Sequence, residues 1–197
     1  MIDSTKLASA QNDRVRAWHD GEPLPETAAS LEEYALLLHS FNYRLWHLED
    51  RARDPGASDH EIALVKRAID KNNQSRNDCI ERLDELILAA AGPLAPRAAG
   101  AALHSETAGA ITDRLSINSL KIHHMREQAE RTDATREHRA RCEARLAILG
   151  EQRSDLISCL GNLLAGTANG TLYFKVYRQM KMYNDPSLNP AIYGRST

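Results

Sequence analysis

The sequence predicts an all-α fold: a single-domain antiparallel helical bundle of about five helices over residues 1–170. A short basic, tyrosine-rich C-terminal extension over 171–197 is expected to pack on it. Apolar side chains recur at three- and four-residue intervals, the period that lines up one face of a helix. Two of these stretches open on a Ser-x-x-Glu capping box, in which each side chain satisfies an amide that the other end of the first turn leaves open. Between the stretches, proline and glycine clusters forbid continuation.

Ile2 to Trp18 makes a first helix, with Leu7, Val15 and Trp18 at helical intervals, and HDGEPLPET stops it. Ser30 and Glu33 form the first capping box, and Tyr34, Leu37, Leu38, Phe41, Leu45 and Leu48 follow as one apolar stripe. DPGA at 54–57 closes this helix, and Ser58 with Glu61 opens the third. That helix runs to about Ala91, with Ile62, Val65, Ile69, Ile80, Leu83 and Ile87 on its buried side. GPLAPRAAG is a loop too short to link two domains. A fourth helix takes Ser105 as N-cap, carries Glu106 in its first turn and keeps Ile111, Leu115, Ile122 and Met125 in register. Seven basic and seven acidic residues between Arg126 and Asp155 make a solvated face of i,i+4 pairs. Cys142, Leu146, Leu149, Leu156, Leu160 and Leu163 give the fifth helix its core stripe, with Gly150 tolerated inside it at some cost. GTANG ends the bundle. In the tail, TLYFKVY alternates like a strand, but Tyr173, Val176, Tyr177, Met180 and Tyr183 suit a short helix, which is the expectation. The one internal echo is Arg-x-Trp-His, at Arg16–His19 and again at Arg44–His47.

A formal charge of −2 gives no drive toward nucleic acid, and none is expected as a partner. No run approaches a membrane span, and the polar start MIDSTKLASAQND lacks the apolar centre of a signal peptide. Cys79, Cys142 and Cys159 form no CxxC pair, so they read as buried thiols in a reducing cytoplasm. No Glu-x-x-His pair exists, and His123 and His124, being adjacent, point in different directions on a helix. Neither a metal site nor a cofactor is therefore expected.

The second and third helices carry polar residues where a plain bundle would carry leucine. If they form a hairpin closing near Gly56, facing residues have numbers summing to roughly 112. Trp46 and His47 then lie level with Arg67, Glu49 and Asp50 sit nearer the turn, and Asn42 lies beside Asp70 and Asn73. Arg67, Asp70, Gln74, Asp78 and Glu81 share an edge of the third helix, while Asn73 and Arg76 continue its apolar stripe and should be partly buried. Buried amides and guanidinium groups cost free energy unless hydrogen-bonded. Two readings remain open. In one, a closed network pairs Arg67 with Glu49 or Asp50, Asp70 with His47, and Asn42 with Asn73. In the other, these groups are the floor of a ligand pocket. Asp113, Arg114 and Asn118 of the fourth helix would extend the same centre, Asn118 opposite Asn73.

LWHLED, KRAIDKNNQSRNDCIERLD, SETAGAITDRLSINSLKIHHM and KVYRQMKMYNDPSLNPAIY together resemble a family of bacterial all-helical proteins, domain-of-unknown-function family 4254. The resemblance covers nearly the whole chain, and it departs at Ala108, where the family pattern has proline. It implies no activity and no catalytic residue. It does imply a setting, since members often sit near genes for sugar transfer and envelope polysaccharides.

Two functional expectations follow. In the first, the chain is a binding or accessory module for a phosphorylated sugar or nucleotide sugar. Trp46 would offer a flat face, while Asn42, His47, Asn73, Gln74 and Asn77 would supply donors and acceptors. Arg67 or Arg114, with Glu49, Asp50, Asp70 and Asp113 around them, would hold phosphate. A homo-oligomer is compatible with this. In the second, Glu49, Asp50, Asp78 and Glu81 hold magnesium in a phosphohydrolase acting on nucleotides or nucleotide sugars, although the hairpin count puts the two pairs some four turns apart.

Overall fold

The computed structural model describes residues 2–90, 97–180 and 186–194. Helix α1 (Ser4–His19) is capped by Asp3, whose carboxylate accepts from the amides of Thr5 and Lys6. Helix α2 (Leu31–Ala52) opens on the Ser30/Glu33 box, and α3 (Asp59–Ala90) on Ser58 and Glu61, both as the sequence predicts. Strand β1 (Ala102–Leu103), α4 (Ala108–Glu130), α5 (Arg136–Asn169), β2 (Leu172–Tyr173) and the single turn α6 (Pro190–Tyr193) complete the order. The expected helix end at Ala91 and residues 92–96 of the following loop lie outside the described residues.

Two antiparallel hairpins, α2–α3 and α4–α5, meet along α4, with α1 laid across them. Leu38, Leu83, Ile111, Leu115, Leu160 and Leu163 form the centre of the core, each essentially without solvent exposure. Leu45, Val65 and Ile69 make a smaller cluster nearer the α2–α3 turn. Ile62, expected inside, is exposed.

Helix α4 is the axis of the fold, and its sequence does not advertise the fact. It packs against α1, α2, α3 and α5, so it is buried on several sides and lacks one apolar stripe. Its small polar residues tolerate this by bonding their own backbone: Thr112 Oγ1 donates to the Ala108 carbonyl at 2.9 Å and Ser119 Oγ to that of Leu115 at 3.0 Å. The N-cap is Thr107, which accepts from the Ala110 amide, and not Ser105. Glu106 instead takes two bonds from Arg114, at 2.7 and 2.9 Å. From α3, the Asp84 carboxylate accepts from the Gly109 amide at 2.6 Å, placing a negative charge at the positive end of α4.

Helix α5 ends on Gly170, whose φ of 78° is the left-handed conformation that closes many helices. The tail then departs from the helical expectation. Leu172 and Tyr173 pair in parallel with Ala102 and Leu103, and Phe174 is buried in the core. Burial alternates from there, with Lys175 out, Val176 half in and Tyr177 out, because an extended chain alternates its faces. Arg178 reaches α3 through Glu81, at 2.9 Å, and Glu85, while the Gln179 amide donates to Glu81 at 2.8 Å. Lys181 and Tyr183 lie outside the described residues. Cys79 and Cys142 are buried as expected, but Cys159 is exposed. Among the described residues, no helix is long and apolar enough to cross a membrane.

Candidate functional site

A groove of about 330 Å³ runs between α2, α3 and α4. Asn42, Trp46, Glu49 and Asp50 enter it from α2, Asn73 and Arg76 from α3, and Ile117 and Leu120 give it an apolar back. Asn73 and Arg76 are half-buried, as their place on the α3 stripe predicts. The Nε atom of Arg76 is buried without a hydrogen-bond partner. Glu49 pairs with Arg53 at 2.9 Å.

Several expected partners are elsewhere. Arg67 and Asp70 are exposed, and Asp70 pairs with Lys66 at 2.6 Å instead of His47. Being level with Trp46 along the hairpin does not make a residue face it: Arg67 is two positions, about 200°, from the buried Ile69 and so points to solvent. Gln74 donates to Asp78 at 2.6 Å. Asn77 is buried but turned to the tail, bonding Gln179 at 3.3 Å. Arg114 is held by Glu106 and lines a separate cavity of about 390 Å³ with Asn118, Lys121, Asp155 and Cys159. Asn118 donates to the Leu149 carbonyl and not to Asn73.

Asn42 does belong to a closed network, with partners other than Asn73. Its amide donates to Asp113 Oδ1 at 2.8 Å and to Ser116 Oγ at 2.9 Å. Ser116 Oγ lies 2.7 Å from His39 Nδ1, and His39 Nε2 lies 2.9 Å from the Gln11 carbonyl. A carbonyl only accepts, so Nε2 carries the proton and Nδ1 accepts from the serine hydroxyl. The chain of bonds therefore has one direction, from Asn42 through Ser116 and His39 into α1. Burial pushes the His39 pKa down to about 3, with Arg153 adding to the effect and the Gln11 bond opposing it. Burial likewise raises the Asp113 carboxyl, while the Asn42 bond and Arg76 pull it back. Sequence reasoning missed His39, although it falls three residues before Asn42 on the face that α4 covers.

A second constellation lies on the other side of Trp46. His19 at the end of α1, Tyr43 and His47 on α2, and His123 and His124 on α4 converge there. The His19 ring stacks on His123 at 4.3 Å, and the Trp46 ring stacks on His124 at 4.6 Å with 12° between planes. Although adjacent in sequence, His123 and His124 both join the cluster, their ring centroids 5.2 Å apart and their planes at 86°, because α1 and α2 bring the other rings to them. Burial and the neighbouring imidazoles hold His47 and His123 below the usual histidine pKa. At Glu127 burial favours the neutral form, but the His124 bond and nearby histidines outweigh it and keep the carboxyl acidic. The signal was present in the sequence: the two Arg-x-Trp-His copies supply His19 and His47, whose rings lie 5.3 Å apart.

The family described as "Protein of unknown function (DUF4254)" matches residues 32–176. The chain belongs to this family. Comparison with curated proteins and with solved structures returned no match. The DUF4254 segment contains α2 from its second residue, α3, α4, α5 and both strands, hence the whole groove, whereas α1 with Gln11 and His19 precedes it.

In this DUF4254 chain the four carboxylates considered for magnesium are divided. Glu49 and Asp50 line the groove, but Asp78 accepts from Gln74, and Glu81 is engaged by Arg178 and Gln179 at the tail. No shared ligand set results from these four.

Proposed function

We propose that the α2–α3–α4 groove binds a sugar phosphate or nucleotide sugar, and that the protein serves envelope polysaccharide metabolism as a binding or accessory module. The observation that carries this reading is Arg76, half-buried in the groove wall with its Nε unpartnered. A planar guanidinium suits bidentate contact with phosphate, the role expected from the sequence for Arg67 or Arg114. Trp46 supplies apolar surface for a ring, and Asn73, Glu49 and Asp50 surround it with groups that hydroxyls can bond. Such a mixture of one aromatic face with an amide and carboxylates suits a polyol better than an apolar ligand.

The test is thermal unfolding and calorimetric titration against a panel of sugar phosphates and nucleotide sugars, in the presence of chelator. A ligand at about 100 times its Kd should add about 2.7 kcal/mol to wild-type stability. Arg76→Lys keeps the charge but loses the fork, so the same ligand should bind at least about tenfold more weakly, roughly 1.4 kcal/mol. A wild-type protein stabilised by no member of the panel would sink this reading.

A further inference from the structure

We infer that His19, His47 and His124 form a binding site for a divalent first-row transition metal, with Glu127 holding His124 in the ligating tautomer. Each of the three offers one ring nitrogen, and these atoms all lie within 4.8 Å of one another. The ligand atoms of His123, His124 and Glu127 likewise lie within 4.8 Å of one another, so the two sets overlap at His124.

The hydrogen bonds already set the tautomers that a metal needs. His19 Nδ1 lies 2.7 Å from the Val15 carbonyl and must donate to it, which leaves the lone pair on Nε2. His124 Nδ1 lies 2.8 Å from Glu127 Oε2 and donates to that carboxylate, again leaving Nε2 bare. One ring nitrogen bonded to a carbonyl or carboxylate and the other left open is the usual arrangement around a bound metal. The Nε2 atoms of His47, His123 and His124 are buried and have no hydrogen-bond partner. His123 Nε2 is 3.5 Å from Glu127 Oε1, without hydrogen-bond geometry.

Two orphaned ring nitrogens in one set of three histidines, those of His47 and His124, are what simple packing avoids, because buried polar atoms are nearly always paired. An aromatic cluster formed only for packing would be cheaper with phenylalanine. Neutral imidazoles suit zinc, cobalt, nickel or copper, whereas magnesium and calcium prefer oxygen ligands. A tetrahedral ion with bonds near 2.0–2.1 Å places its ligand nitrogens about 3.4 Å apart, so the rings need only close inward on the ion. His19 is exposed, which gives an ion a way in. Three protein ligands leave one position for water or an added ligand.

The experiment uses the full chain after chelator treatment and dialysis, titrated with cobalt(II) and with zinc(II) and no sugar ligand present. One cobalt per chain should bind, with visible absorption bands of low-symmetry coordinated cobalt that zinc bleaches. His19→Ala and His47→Ala should each abolish that spectrum, while His138→Ala, at a separate histidine beside Cys142, should leave it intact. Glu127→Gln, at a half-exposed side chain, should keep the fold and weaken affinity by about 10–100-fold. Circular dichroism of the chelated variants checks folding, and Glu127→Gln still decides the matter if a histidine variant does not fold. Substoichiometric cobalt, or binding that persists in His19→Ala and His47→Ala, would overturn the site. Failure of the groove reading would show only in the sugar titrations, which are run with chelator.

Discussion

Gly109→Ala is expected to cost about 3 kcal/mol of stability. A methyl group there would meet the Ile80 carbonyl oxygen at 2.7 Å and Asp84 Oδ1 at 2.9 Å. The first contact is backbone, so no side-chain rotation relieves it, and α3 and α4 must move apart. Moving them stretches the bond from the Gly109 amide to Asp84, a carboxylate only 2% exposed. Leaving that group short of a partner adds its own penalty. Gly150→Ala is the control, since nothing lies within 4 Å of a methyl group there and the residue sits exposed inside α5. It should stabilise by about 0.5–1 kcal/mol through helix propensity. Urea unfolding at unchanged m-value reads both. A Gly109→Ala protein as stable as wild type would mean that the α3–α4 approach is looser than the structure shows.

The second large effect is a pH dependence located at His39. Its folded pKa of about 3 lies below the ordinary 6.5, so the unfolded chain takes up a proton that the folded one refuses. Its contribution is therefore complete above about pH 6.5 and is lost as pH falls toward 3. Between pH 7.5 and 5 that amounts to about 2 kcal/mol. Asp84 works in the opposite sense. Burial raises its carboxyl to about 6, against bonds from Thr107 and Gly109, so its neutral form favours the fold and stability is lost as pH rises through that value. The informative quantity is consequently the difference between wild type and His39→Gln, which keeps a donor and an acceptor but does not titrate. That difference should shrink by about 2 kcal/mol on acidification. A constant gap across the range would show that His39 is not held neutral.

What could be read from the chain depended on how far apart the cooperating residues lie. The boxes at Ser30/Glu33 and Ser58/Glu61 are complete within four residues, and both were legible. The α2–α3 hairpin followed from two stripes and a Pro-Gly turn. Its facing could not follow from counting, because a sum of residue numbers fixes height along the helices and not rotation about them. That is why Asn42, Trp46, Glu49, Asp50 and Asn73 were placed at the groove while Arg67 and Asp70 turned out to face solvent. The α3 stripe predicts Arg76 as partly buried, but nothing local marks it as facing the groove. Helix α4 hid its central position because buried serines and threonines that bond their own backbone look polar in sequence. The histidine cluster draws on three helices, and spacing rules framed within one helix could not assemble it. The repeated Arg-x-Trp-His was its only local trace.

Helix α1 has a consequence for the order of events in folding and opening. Two of its ties to the bundle are very distant in sequence: Gln11 Nε2 reaches the Thr112 carbonyl 101 residues away, and Arg153 returns to the Ala8 carbonyl across 145. The two hairpins close over short loops, whereas docking α1 requires these much longer separations to be closed, which is expected to come later. Opening of α1 alone would remove His19 from the histidine cluster and the Gln11 acceptor from His39, while the groove, built from α2, α3 and α4, keeps its walls. An ion held through His19 would fasten the N-terminal helix to the bundle, and amide hydrogen exchange along Ser4–His19 would slow while exchange in the groove helices stayed as it was.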